Sequence, residues 1–178
     1  MNQRMSNVVF LDIETTGTNS ATDEILEIYA MRCHGESIYP TSMIHIMVRP
    51  ERGINKEAQA INHIEDYMVK YADPATVALQ DLHKYLREDD IIIGHNILDF
   101  DIKFMEAHGP KFTQKIVDTL TMAASLGFKR GERSLKKLSE HFQIKQPPSH
   151  RADDDVKALR LLYIEFQKMT QNKLPLGE

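Results

Sequence analysis

Asp12 and Glu14 stand two residues apart near the end of an otherwise apolar run, "VVFLDIETTG", from Val8 to Gly17. Residues two apart on a strand share a face, so Val8, Phe10, Asp12 and Glu14 line one side and Val9, Leu11 and Ile13 the other. Both sides begin apolar, as in a central strand, and the acids fall at its C-terminal end, where open α/β sheets form ligand crevices. Two neighbouring carboxylates repel each other, and burial penalises their charged forms. A bound cation relieves both. Taken alone, two solvated acids at a strand end account for the pattern at least as well.

Two helices repeat the offer. Asp155, Leu159, Leu162 and Phe166 are spaced 4, 3 and 4, so Asp155 heads an apolar stripe. Asp153 and Asp154 point elsewhere and read as first-turn acids favoured by the helix dipole, a role also open to Asp155. Asp101 precedes Phe104, Met105 and His108 on a second inward stripe, while Asp99 falls in the turn before it, where aspartate commonly caps a helix. Three elements thus place acids at their ends on faces that should be buried. Oxygen-only donors suit a hard cation, Mg²⁺ or Mn²⁺. Zinc is a poor match, because Cys33 is alone and no histidine pair has zinc-ligand context. Four carboxylates can hold two divalent ions about 3.5–4 Å apart, the arrangement for in-line displacement at phosphorus. His150 lies five residues before Asp155, in the loop entering that helix, where an imidazole could take a proton from an attacking water. By itself, a histidine beside "PPS" reads as a surface loop residue.

The elements that must position these residues follow from periodicity. Strands are expected at Val8–Glu14, Glu24–Cys33 and Ser42–Val48, with a break from Pro50 to Asn55 and two short helices after it. Asp73 and Pro74 read as an N-cap and first helical residue, ahead of a helix carrying Ala75, Ala78, Leu79, Leu82, Tyr85 and Leu86 inward. "DIIIGHN" and "QKIVDTL" are short strands flanking the Asp101 helix, and Ser134–Phe142 and about Ala152–Met169 are helices. Three strands followed by strands alternating with helices favour one α/β domain with a mixed sheet.

The chain of 178 residues suits one domain, with a core over about residues 7–170. Its apolar and charged fractions, 42% and 27%, are those of an ordinary globular protein. One cysteine excludes an internal disulfide and fits a reducing compartment. The polar start shows no signal peptide and no apolar run is long enough to span a bilayer, so a cytoplasmic setting is expected. The net charge of −4 is unlike that of a protein gripping nucleic acid by phosphate neutralisation alone. Phosphates must then be held locally, by metal ions or by a few cations. "FKRGERSLKK", Phe128–Lys137, supplies five basic residues that could guide a strand, though a charge run equally describes a solvated face.

Together these residues resemble the DnaQ-like, or DEDDh, 3′→5′ exonucleases of the ribonuclease H-like fold, over nearly the whole chain. The first family motif reads "DIETTG", with Asp12 and Glu14; the second reads "GHNILDFDIKFM", with Asp101; the third reads "HRADDDVKAL", with His150 and Asp155. "VDTLTMA", "SLKKLSEHFQI" and "INKEAQAINHIEDYMV" look like the segments around them, although "INHI" stands where the family usually carries a His-Gly pair. The resemblance implies a five-stranded mixed sheet with flanking helices. It implies two divalent ions, Mg²⁺ or Mn²⁺, held by Asp12, Glu14, Asp101 and Asp155, with His150 as general base. It also implies a terminal nucleotide gripped near Glu14, Thr15, Thr16 and Asn96, and release of nucleoside 5′-monophosphates. "DIETTG" and Ile54–Val69 look more like polymerase-associated members, of the DNA polymerase III epsilon type, than like oligoribonuclease. The expected substrate is therefore a single-stranded or frayed DNA 3′ end, with a DNA polymerase subunit as a possible partner. RNA trimming is the alternative. A nuclease fold that recruits a polymerase or nucleic acid without cutting is a further reading, against which stand all five filled catalytic positions.

Overall fold

A computed structural model describes residues 7–34, 38–145 and 151–173. The chain opens with β1 (Val8–Thr15), β2 (Ile25–His34) and β3 (Tyr39–Arg49), an antiparallel meander. Helices α1 (Lys56–Asn62) and α2 (Asp66–Val69) follow, then the two-residue strand β4 (Asp73–Pro74) and helix α3 (Ala75–Tyr85). β5 (Ile91–Gly94), α4 (Asp101–His108), β6 (Lys115–Asp118) and α5 (Thr119–Leu126) alternate. A short 3₁₀ turn at Arg130–Glu132, α6 (Leu135–His141) and α7 (Ala152–Lys173) complete the described chain. No helix among the described residues is long and apolar enough to cross a membrane.

The sheet order is β4-β3-β2-β1-β5-β6, with β5 parallel to β1 and to β6. Among the described residues, six strands stand where five were expected. The extra one is β4, whose Asp73 and Pro74 pair with Val48 and Arg49. This also corrects the start of α3. Pro74, extended at φ −68° and ψ 161°, is the N-cap itself and makes no side-chain capping bond, while Asp73 belongs to the strand.

β1 is central, as its two-sided pattern requires. Val9, Leu11 and Ile13 pack with Ala78, Leu79 and Leu82 of α3 and with Phe104 and Met105 of α4. Phe10, on the opposite face, packs with Ala152, Val156 and Leu159 of α7. Leu162 and Phe166 continue the α7 stripe into a cluster with Ala123 and Leu138. Burying each of Val156, Leu159, Leu162 and Phe166 contributes about 1.5–3 kcal/mol, so α7 is held firmly across the face that carries Asp12 and Glu14.

The strand lengths leave that acidic end open. β5 pairs with β1 only at Val8, Val9 and Phe10, so β1 runs on past its parallel neighbour. On its other side, the register with β2 shifts between Glu14 and Thr15, leaving Leu26 as an extra residue on β2. Such bulges bend a strand and re-aim its side chains. Leu26 turns into a cluster with Ile54, Ala58, Ile64 and Val69, which seats α1 and α2 beside the strand end.

Candidate active site

Asp12 and Glu14 leave β1 on the α7 side, and Asp155 comes down from the first turn of α7. Carboxylate oxygens of these three lie within 4.8 Å of one another, and all three side chains are half-buried. Asp101 arrives from the first residue of α4. Its position follows from the sheet: the Ile13 amide, beyond the end of β5, donates to Asp101 Oδ1 at 3.1 Å. Asp101 is 2% exposed, whereas Asp99 is exposed and pairs with Lys103 at 2.8 Å. The helical stripe thus separates the two acids as expected. Asp99 lies in the turn but is not the cap; Phe100 holds that position without a side-chain bond.

Asp153 and Asp154 turn away from the three acids and meet Lys157 one turn on, at 2.6 and 3.1 Å. The Asp154 and Asp155 amides both donate to the Arg151 carbonyl at 3.0 Å, so Arg151 fixes the start of α7. His150, the expected base, lies outside the described residues.

The electrostatics are those of a site with too much negative charge. Burial, then the charges of Asp101, Asp155, Glu14 and Glu27, pushes Asp12 well above the ordinary carboxylate range. Burial, with Asp155, Glu27 and Asp101, raises Glu14 to about 9, against a smaller lowering by Arg151. Burial raises Asp101 to about 7, while backbone amides, including that of Ile13, pull it down. Such acids are relieved by protons or by a bound cation. Oxygen-donating side chains, three of them with carboxyls raised by burial and by neighbouring acids, fit hard divalent ions.

A groove of about 320 Å³ opens beside the acids, lined by Glu14, Thr15 and Thr16, by Asn55, Ile61 and Asn62 around α1, and by Phe100. Its floor is rigid. Asn55 and Asn62 donate their side-chain amides to the Thr16 and Thr15 carbonyls at 2.9 and 3.2 Å. The Thr15 hydroxyl donates to the Gly17 carbonyl at 2.5 Å, and the Thr16 hydroxyl accepts from the Glu24 amide at 2.9 Å. A Cβ on Gly17 would meet the Asp23 carboxylate at 2.4 Å, so a larger residue there would displace that side chain. Ile61, 58% exposed, offers the groove an apolar wall.

Asn96 is not in that wall. It has a left-handed backbone, φ 62°, and makes the turn before α4: its amide donates to Asp118 Oδ1 at 2.9 Å and its carbonyl accepts from Phe100 at 3.0 Å. Asp118 also caps α5 through the Leu120 amide. Asp118, Asn55, Asn62, Glu27 and Arg151 were not singled out from the sequence. For Glu27 there was a signal, an acid inside a strand otherwise built to be buried. The basic segment 128–137 lies mostly at the surface, where Lys137 and Arg133 donate to the Gly131 and Phe128 carbonyls at 2.5 and 2.7 Å.

A mixed sheet of this order, with a carboxylate centre at the end of its middle strand, defines a ribonuclease H-like domain. The chain matches the family model RNase_T, described as exonuclease, over residues 9–163, and it belongs to that exonuclease family. It is 29% identical to the DNA polymerase III PolC-type of Streptococcus mutans over 97% of the chain, which is 12% of that protein. It is 31% identical to the 3′-5′ exonuclease DinG of Staphylococcus haemolyticus over 90% of the chain and 18% of that protein. The chain therefore spans less than a fifth of the length of these relatives. Among solved structures, the nuclease domain of 3′hExo, a DEDDh family member bound to rAMP, superimposes with a TM-score of 0.80 at 16% identity, covering 99% of this chain and 98% of that one. E. coli Exonuclease I in complex with a dT13 oligonucleotide has a TM-score of 0.78 at 18% identity, over 94% of this chain and 42% of that one.

Proposed function

We propose that this chain acts as one exonuclease domain, removing nucleotides hydrolytically from the 3′ end of single-stranded or frayed DNA. The observation that carries the reading is the convergence of Asp12, Glu14 and Asp155 within 4.8 Å of one another, with Glu14 also lining a groove. Asp101 stands behind them, locked to the Ile13 amide. These four residues would hold two divalent ions, Mg²⁺ or Mn²⁺. When bound, such ions neutralise phosphate charge, lower the pKa of water and stabilise a leaving oxygen.

The chain's own residues do the rest. The groove at Glu14, Thr15 and Thr16 receives the terminal nucleotide, with Ile61 and Phe100 offering apolar surface to its base. Asn55 and Asn62 keep the floor in place. His150, one residue before Arg151, takes the proton from the attacking water, and the product leaves as a nucleoside 5′-monophosphate. DNA is favoured over RNA because one relative similar over nearly the whole chain is a PolC-type DNA polymerase III and one structural neighbour is in complex with a dT13 oligonucleotide. The same likeness supports work beside a DNA polymerase, in a cytoplasmic setting. The test is release of mononucleotides from matched single-stranded DNA and RNA, with and without Mg²⁺, for wild type and Asp12→Ala. Mg²⁺-dependent release from DNA by wild type alone is expected. Equal release by Asp12→Ala would overturn the assignment.

A further inference from the structure

Glu27 is the most enclosed acid near the site. It is 0% exposed, and its partners come from two distant parts of the chain. Arg151 Nη2 donates to Oε1 at 2.6 Å and Arg151 Nε to Oε2 at 3.0 Å, a two-pronged contact across 124 residues of sequence. The Ala152 amide, at the start of α7, donates to Oε2 at 3.2 Å, and His45 Nε2 lies 2.7 Å from Oε1. Burial alone would raise the Glu27 carboxyl, but Arg151, His45 and the Ala152 amide outweigh it and hold it below its ordinary value. It is therefore ionised, and Arg151 is its counter-ion.

A buried ion pair is a weak source of stability, because desolvating both groups offsets most of their attraction. Fixing register is its better-attested use, and the placement here suits that use. Glu27 stands directly across the β1–β2 ladder from Glu14. On the other side, the Arg151 carbonyl accepts the Asp155 amide at 3.0 Å. One end of the pair is thus one cross-strand step from Glu14, and the other is one helical turn from Asp155. His150 directly precedes Arg151 in sequence.

We propose that Glu27 and Arg151 form a positioning clamp that sets the distance between the β1 acids and the α7 acid, and so the metal affinity of the site. The inference rests on the exonuclease reading for its catalytic consequence, but not for its metal-binding consequence. Neither residue is proposed to touch substrate. Glu27→Gln keeps the shape and the acceptor for Ala152 but removes the charge and turns an amide donor toward Arg151. Arg151→Lys keeps the charge and loses the two-pronged geometry.

The test measures Mn²⁺ binding by calorimetry, thermal stability in EDTA, and kcat and KM on a single-stranded oligonucleotide. Glu27→Gln should weaken Mn²⁺ binding and lower kcat by about 10- to 100-fold each, the range typical of outer-shell partners of metal ligands. KM should stay near wild type, and Arg151→Lys should fall between the two. Asp90→Asn is the control. It breaks a comparable buried pair with Arg32, 2.6 Å long, which no site residue shares. It should lower thermal stability and leave Mn²⁺ affinity unchanged. If Glu27→Gln fails to fold, Arg151→Lys decides. Wild-type Mn²⁺ affinity in Glu27→Gln, or in Arg151→Lys in that event, would overturn the clamp. So would a loss of affinity in Asp90→Asn equal to that in the clamp variants. A wild type that binds Mn²⁺ but cuts nothing would overturn the exonuclease reading while leaving the calorimetric comparison intact.

Discussion

Replacing Glu14 by glutamine should stabilise the metal-free protein at alkaline pH. Glu14 rests at about 9 in the folded chain against an ordinary 4.5, chiefly through burial and then the charges of Asp155 and Glu27. A carboxyl raised on folding binds more protons in the folded state, so its stabilising contribution is whole below pH 4.5 and is lost as pH climbs toward about 9. The full shift corresponds to a ceiling of ~6 kcal/mol at 1.36 kcal/mol per unit. The side chain is only half-buried, and screening by solvent reduces this to about 2–3 kcal/mol. For a domain of this size that is about 4–12 °C in Tm. The assay is thermal unfolding in EDTA at pH 5 and pH 8. Glu14→Gln should match wild type within a degree or two at pH 5 and exceed it at pH 8. Adding Mn²⁺ should close the gap by raising wild type, by about 2.7 kcal/mol at a hundredfold excess over Kd. A variant no more stable than wild type at pH 8 in EDTA would refute the claim that burial and the neighbouring acids penalise the charged Glu14.

Further expectations concern catalysis. Asp12→Ala or Asp155→Ala should cut turnover about 1,000-fold or more, some 4 kcal/mol of barrier, with the fold intact; EDTA should mimic this and Mg²⁺ or Mn²⁺ restore wild type. Asp101→Asn can still accept the Ile13 amide, so it should fold normally and lose about 100-fold or more in rate. Asp99→Asn breaks only an exposed pair and should change stability by at most about 1 kcal/mol and the rate hardly at all; reversed effects would show that the acids are misassigned. His150 must be neutral to accept a proton, so wild-type activity should carry an acidic limb that vanishes in His150→Ala. An acidic limb that survives in His150→Ala would remove the histidine from the role.

The positions of the acids in the candidate site were legible because each sits where a local period makes a statement. Alternation put Asp12 and Glu14 on the Phe10 face, and that face is the one α7 covers. The 4-3-4 spacing after Asp155 and the inward run after Asp101 told those residues from Asp153, Asp154 and Asp99. What could not be read depends on contacts between distant segments. β4 exists only because Asp73 and Pro74 reach Val48 and Arg49, and two residues carry no period. Glu27 needed Arg151 beside it to make sense, and nothing local links the two. Asp118 looks like an ordinary helix cap until the turn at Asn96 is seen to hang from it. The groove's Asn55 and Asn62 act through backbone carbonyls on β1, which no side-chain pattern announces.

The most direct test of the central claim follows single molecules of substrate from one end. A 5′-labelled single-stranded oligonucleotide with a 3′-hydroxyl, the same strand with a 3′-phosphate, and a circular strand are each incubated with the protein in Mg²⁺. A ladder that shortens one nucleotide at a time from the 3′ end is expected for the first, with little or no product from the other two. Efficient cutting of the circle, or release of nucleotides from the labelled 5′ end, would contradict the account.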